Sequence, residues 1–200
     1  MIASGVLTRL QKWYLINCDG AWEHECGIHL ETLDNPGWLM RIDLEGTALE
    51  HLEYAFERQH PEREHDWCLL RVEGKQLQIQ GGPLNLGEGI SIFLNEVLPA
   101  HANPAFLYEI KVPVRGLAEE RFVAAEGRLV NEETIELVSV PAPSERELSV
   151  WEELIGLDPG GTRAEVLPVF SAGEQVTPQL EGGGLDVYLV ARSLSDHGWQ

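Results

Sequence analysis

Leu7, Leu10, Trp13, Tyr14 and Ile16 recur at helical spacing, so residues 4–17 read as an amphipathic helix that Asp19-Gly20 ends. From Gly27 to Leu33 the pattern changes. Ile28 and Leu30 alternate with His29 and Glu31, as in a half-buried strand. Asn35-Pro36-Gly37-Trp38 suits a type II turn, with Gly37 at positive φ. Trp38, Met40, Ile42 and Leu44 then line one face of a returning strand. Thr47-Ala48-Leu49-Glu50 has the form of a capping box and predicts a helix to about His60. Its apolar face is Leu49, Leu52 and Phe56, and Glu50, Glu53 and Glu57 form an acidic stripe on another face. Trp67–Glu73 and Gln76–Gln80 around Gly74-Lys75 predict a second tight hairpin. After Gly81-Gly82-Pro83, residues Ile90, Phe93, Leu94 and Val97 mark a last helix ending before Pro99.

The order α-β-β-α-β-β-α over about one hundred residues predicts an α+β fold, a mostly antiparallel sheet with helices on one face. His101–Pro104 reads as a connection, which divides the chain into 1–102 and a β-rich α+β part, 105–200. There the strand candidates are 106–114, 121–130, 134–140, 164–170 and 185–193, with a turn at Asn131-Glu132-Glu133. Ser144 caps a short helix to Ile155, and 173–184 reads as a long exposed loop.

Charge changes the picture most. The 200 residues carry a formal charge of −19, shared by both halves. Phosphate contacts need Lys and Arg, so the balance argues against direct binding to nucleic acid or to an anionic membrane surface. It suits a basic partner, with charge steering the encounter. No apolar run approaches the roughly 20 residues that span a bilayer, and the N-terminus lacks the pattern of a signal peptide. The expected compartment is the cytoplasm. Cys18, Cys26 and Cys68, an odd set in a long chain, read as reduced thiols.

Candidate chemistry is sparse. On a strand, Glu23 and His24 of Trp22-Glu23-His24 would point to opposite faces, so they do not converge as an acid–base pair. A buried hydrogen bond for His24 and a surface place for Glu23 are the plainer expectation. The His/Cys-rich stretch from His24 to Cys68 could serve a metal-dependent hydrolase, but it has no Cys-x-x-Cys, His-Glu-x-x-His or paired knuckle. No nucleophile elbow, Walker loop or dinucleotide fingerprint occurs. No metal and no cofactor are expected, and the tryptophans read as core. A scaffold whose second half drives self-association is a further alternative.

One stretch is more specific. Trp13-Tyr14, Asp19-Gly20, Trp22-Glu23-His24, Gly27-Ile28 and Thr32-Leu33-Asp34-Asn35-Pro36-Gly37-Trp38 together closely resemble the signature of the immunity protein 53 family. These are small bacterial proteins associated with polymorphic toxin systems. Gly81-Gly82-Pro83-Leu84-Asn85-Leu86 looks, more loosely, like the family's Gly/Pro loop before its final helix. The resemblance covers roughly residues 7–98. It implies an antitoxin and not an enzyme, with a cognate toxin that is often a nuclease. Charge and exposure, not the motif, nominate the toxin-binding residues: the stripe Glu50, Glu53 and Glu57, with Asp19 and Glu23 near the first turn.

Overall fold

Alternation of apolar and polar residues organises the first half around a five-stranded antiparallel sheet. In the computed structural model, residues 5–19, 21–113, 122–139, 172–180 and 187–190 are described. The chain forms two units, Met1–Phe106 with Val130–Glu133, and Leu107–Leu129 with Thr134–Gln200.

The first unit opens with α1 (Val6–Asn17) and a single helical turn, α2 (Trp22–Glu25). The strands are β1 (Ile28–Leu33), β2 (Gly37–Asp43), β3 (Ala55–Gln59), β4 (Trp67–Glu73) and β5 (Gln76–Gly81), in the sheet order β1-β2-β5-β4-β3. Register brings Leu30, Met40, Ile79, Leu70 and Phe56 into one row, with Ile28, Ile42, Leu77 and Val72 in the next. Met40, Ile42, Leu70, Leu77 and Ile79 are buried. Against this face packs α3 (Leu86–Ile92), which runs on through a π-helical turn, Phe93–Val97, into α4 (Leu98–His101). Phe93 stacks edge-on against Trp13 of α1 at 5.2 Å, and Trp13 against Trp22 at 6.2 Å. The Trp22 indole donates to the Glu45 carbonyl at 2.7 Å, so its polar atom is satisfied as a core position requires.

Both expected hairpins form, and Gly74 takes the positive φ, 62° in the event, that its tight turn demands. Several expectations fail. Residues 47–60 are not a helix. Thr47 donates its hydroxyl to the Leu44 carbonyl and accepts from the Leu49 N–H, which holds a turn. Tyr54 onward is then extended. Pairing with β4 places Phe56 beside Leu70, and this tertiary burial overrides a helix propensity worth only tenths of a kcal/mol per residue. Trp22-Glu23-His24 is a helical turn and not a strand, and His24 is exposed. Leu7 is 60% exposed, outside the buried stripe of Leu10, Trp13 and Ile16. The last helix also passes Pro99. The wide π turn lies directly upstream, where a regular α-helix would press the Asn95 carbonyl against the proline ring.

The second unit is a closed barrel in the order β10-β6-β7-β8-β9. Its strands are β6 (Tyr108–Pro113), β7 (Phe122–Asn131), β8 (Thr134–Ser139), β9 (Gln175–Leu180) and β10 (Val187–Val190). Ala125, Leu129, Ile135, Leu137 and Val176 are buried. Strand β9 occupies much of the expected loop 173–184. Its sequence Gln-Val-Thr-Pro-Gln-Leu, interrupted by Pro178, hid it, since a proline cannot donate to a ladder. The helix expected at 144–155 and the strand expected at 164–170 lie outside the described residues. Antiparallel sheets with a few helices make the class α+β. Among the described residues no helix is long and apolar enough to cross a membrane.

Candidate partner-binding surface

Two strand edges flank the first sheet, β1 on one side and β3 on the other. Among the described residues, β1 pairs with β2 alone. The Asp43 N–H donates to the Gly27 carbonyl at 3.0 Å, so odd-numbered residues along β1 face β2. The N–H and C=O groups of Ile28, Leu30 and Thr32 therefore point away from the sheet. On the side of the sheet that carries the helices, Leu30 is 50% exposed. Its neighbour one row along is Trp38, whose indole donates to the Pro83 carbonyl at 3.0 Å. Leu84 follows, 94% exposed. Among the described residues, Leu30 on β1 and Trp38 on β2 thus leave apolar surface open beside this edge, and Pro83 and Leu84, which follow β5, extend it across the end of the sheet.

Carboxylates flank this edge, although Glu31 and Asp43 lie on the opposite face of the sheet from Leu30. Glu25, Glu31, Asp34 and Glu45 are exposed, and Asp43 is half-buried. Glu31 pairs with Arg41 at 2.6 Å, and His29 stands 4.0 Å from Asp43. Burial pushes the Cys26 thiol up, and the nearby carboxylates of Asp43, Glu45 and Glu25 push it further against the opposing pull of Lys75. The field at the start of β1 is negative.

The carboxylates nominated from sequence do not form one surface. Asp19 is a cap: its Oδ1 accepts the N–H groups of Ala21 and Trp22, both at 2.8 Å, and these bonds hold its carboxyl below the usual range. Glu23 is half-buried on α2. Glu50 accepts Lys75 Nζ at 2.8 Å, which lowers its pKa, while Glu45 takes the same ammonium at 2.6 Å. Glu53 is exposed in the connection before β3, and Glu57 is exposed on β3 itself. With the predicted helix absent, the stripe of Glu50, Glu53 and Glu57 does not exist. Glu57 also sits on the far edge from β1, four strand spacings or about 19 Å across the sheet.

Sequence reasoning passed over Leu30, Trp38 and Leu84. Leu30 has the alternation of a buried residue, and only its place on an edge strand leaves it open. A Pro-Leu pair in a Gly-rich loop carried the one available signal.

A half-buried network braces the other end of β3. Arg58 donates through Nε and Nη2 to the two oxygens of Glu88, each at 2.6 Å, and through Nη2 to Asp66 at 2.8 Å. Asn85 adds bonds to Asp66 at 3.1 Å and Glu88 at 2.9 Å. The guanidinium depresses both carboxyls and is itself held more firmly protonated. This arrangement ties the loop before β4 to the start of α3. Behind it, burial pushes the Cys68 thiol up to about 11, which leaves it inert. All three cysteines are free thiols. Among the described residues no three His, Cys, Asp or Glu side chains gather where they could hold a metal ion.

Compared with known proteins, the chain matches no curated protein and no solved structure. A family model does match, and it lies wholly within the unit that carries β1. It is that of immunity protein 53, and it matches residues 7–97.

Proposed function

We propose that the chain neutralises a basic toxin domain, a nuclease of a polymorphic toxin system, by binding it one to one in the cytoplasm and occluding it without turnover. The match of residues 7–97 to immunity protein 53 carries the reading. The charge of −19 supports a basic partner and speeds the encounter. Buried apolar anchors would supply most of the affinity, with carboxylates at the rim giving discrimination. Among the nominated carboxylates, Glu53 is exposed and available to such a rim, whereas Asp19 and Glu50 are engaged within the domain and Glu57 lies on the opposite edge of the sheet from β1.

The test is a titration of the toxin domain that this reading expects to be encoded immediately upstream of this chain's gene. Toxin activity should fall linearly and vanish at one equivalent of the chain, with no covalent change to either protein. Complete loss at a small fraction of an equivalent would show turnover and overturn occlusion. A metabolic operon with no toxin domain beside the gene would count against the reading as a whole.

A further inference from the structure

We infer that the free edge of β1 takes an extended, basic segment of the toxin as a sixth strand of the sheet, anchored over Leu30, Trp38 and Leu84. This rests on the immunity reading and specifies how its partner binds.

Three independent features of one margin carry the inference. The first is backbone. Ile28, Leu30 and Thr32 turn N–H and C=O groups outward that are unpaired among the described residues, along a six-residue strand that contains no proline and no lysine. Proteins ordinarily blunt such an edge with those residues, because it templates pairing with another chain. The second is side chains. A strand laid against β1 would place alternate residues beside Leu30, over the strip that continues through Trp38 and Pro83 to Leu84. Those apolar surfaces are spent on nothing within the described residues. The third is charge. Glu25 and Asp34 stand exposed at the two ends of β1, and Asp43 lies beside its start. Arg41 offsets Glu31 and Lys75 offsets Glu45, which leaves Glu25 and Asp34 without an ion pair among the described residues. A basic segment gains from this field, whereas a second copy of the chain would bring the same carboxylates against it. Edge β3 lacks the combination: it is shorter, and among the described residues its outward residues Ala55, Glu57 and Gln59 adjoin no exposed apolar strip.

Amide hydrogen exchange of the full chain, alone and with the upstream-encoded toxin domain, tests the pairing directly. Binding should slow exchange at Leu30 and Thr32 by at least tenfold and leave Glu57 and Gln59 unchanged. Thr32→Pro removes one outward N–H without touching the bonds to β2, and proline is tolerated on an outer edge. It should weaken binding roughly tenfold or more. Leu84→Asp alters a side chain that is almost wholly exposed, and should weaken binding comparably with no change in melting temperature. Glu57→Pro, its counterpart on β3, should leave affinity intact. If the wild-type chain binds the toxin while Leu30 and Thr32 stay unprotected, or if Glu57→Pro is the damaging variant, strand addition at β1 is wrong and the immunity reading survives. If the wild-type chain does not bind that toxin at all, both fall. Protection of the same amides in the chain alone, rising with its concentration, would assign the edge to a second copy and overturn the proposal.

Discussion

Gly37 shows how a correct residue can be chosen for the wrong reason. The Pro-Gly pair suggests a positive φ, yet the described glycines with positive φ are Gly46, Gly74 and Gly173. What Gly37 lacks is space: a Cβ there would lie 2.6 Å from the Gly81 carbonyl oxygen on the paired strand. Gly37→Ala should therefore cost about 1–3 kcal/mol, read as a lower urea midpoint. Gly87, exposed on α3 with nothing near it, is the control, and Gly87→Ala should be neutral or stabilise by about 0.4–1 kcal/mol. Charge at single residues also sets a pH dependence. Asp66 and Glu88 have carboxyls held below the ordinary value of about 4 by Arg58 first and Asn85 second. Their contribution to stability is complete above that ordinary value and disappears as pH falls through the depressed folded values. Urea midpoints should fall from about pH 4 downward, and Arg58→Gln should flatten that acid limb. An unchanged limb in the variant would mean that the network does not couple to folding.

At the scale of elements, β3 is the sharpest test, since its residues were expected to be helical. The His60 N–H donates to Asp66, and the Tyr54 carbonyl accepts from Val72, so even-numbered residues of β3 face β4. Amides of Phe56 and Arg58 should exchange slowly, and those of Glu57 and Gln59 quickly. A helix over 47–60 would instead protect the whole stretch without alternation. The misreading has a physical cause. Leu-Glu-Tyr-Ala-Phe-Glu-Arg carries good helix formers, but Pro61 pushes His60 toward extended backbone, and the sheet offers Phe56 a place beside Leu70. Strand β9 was missed for the opposite reason. Its proline and polar residues resemble a loop, and only its pairing with β8 and β10 makes it a strand.

For the whole molecule, net charge and unit structure each lead to a measurement. With −19 on the chain, association with a basic toxin should slow as salt rises, because the Debye length shrinks below about 10 Å above 0.1 M. Dissociation should change far less, since apolar anchors and strand hydrogen bonds are poorly screened. Equal salt dependence of both rates would argue against buried anchors. A fragment of residues 1–106 contains the full sheet and the Trp13, Trp22 and Phe93 cluster. It should melt cooperatively and keep a near-ultraviolet tryptophan signal, and loss of that signal would show that its core is not self-sufficient.

The sequence by itself determined the α+β class, helix α1, both hairpins of the first sheet and the immunity-like signature. Those features depend on short-range periodicity, on turn chemistry at Gly74, and on a dense run of motif residues from Trp13 to Trp38. Tertiary structure decided which strands became edges, and so which residues can meet a partner. Leu30 and Met40 have similar apolar character along their strands, but Met40 lies inside the sheet and Leu30 on its margin. In the same way Asp19, Glu50 and Glu57 are alike as charges, and only the fold makes one a cap, one half of an ion pair and one an exposed carboxylate. Strand order, which brings Gly37 against Gly81 and sets β1 and β3 four strands apart, is a long-range property that no local pattern encodes.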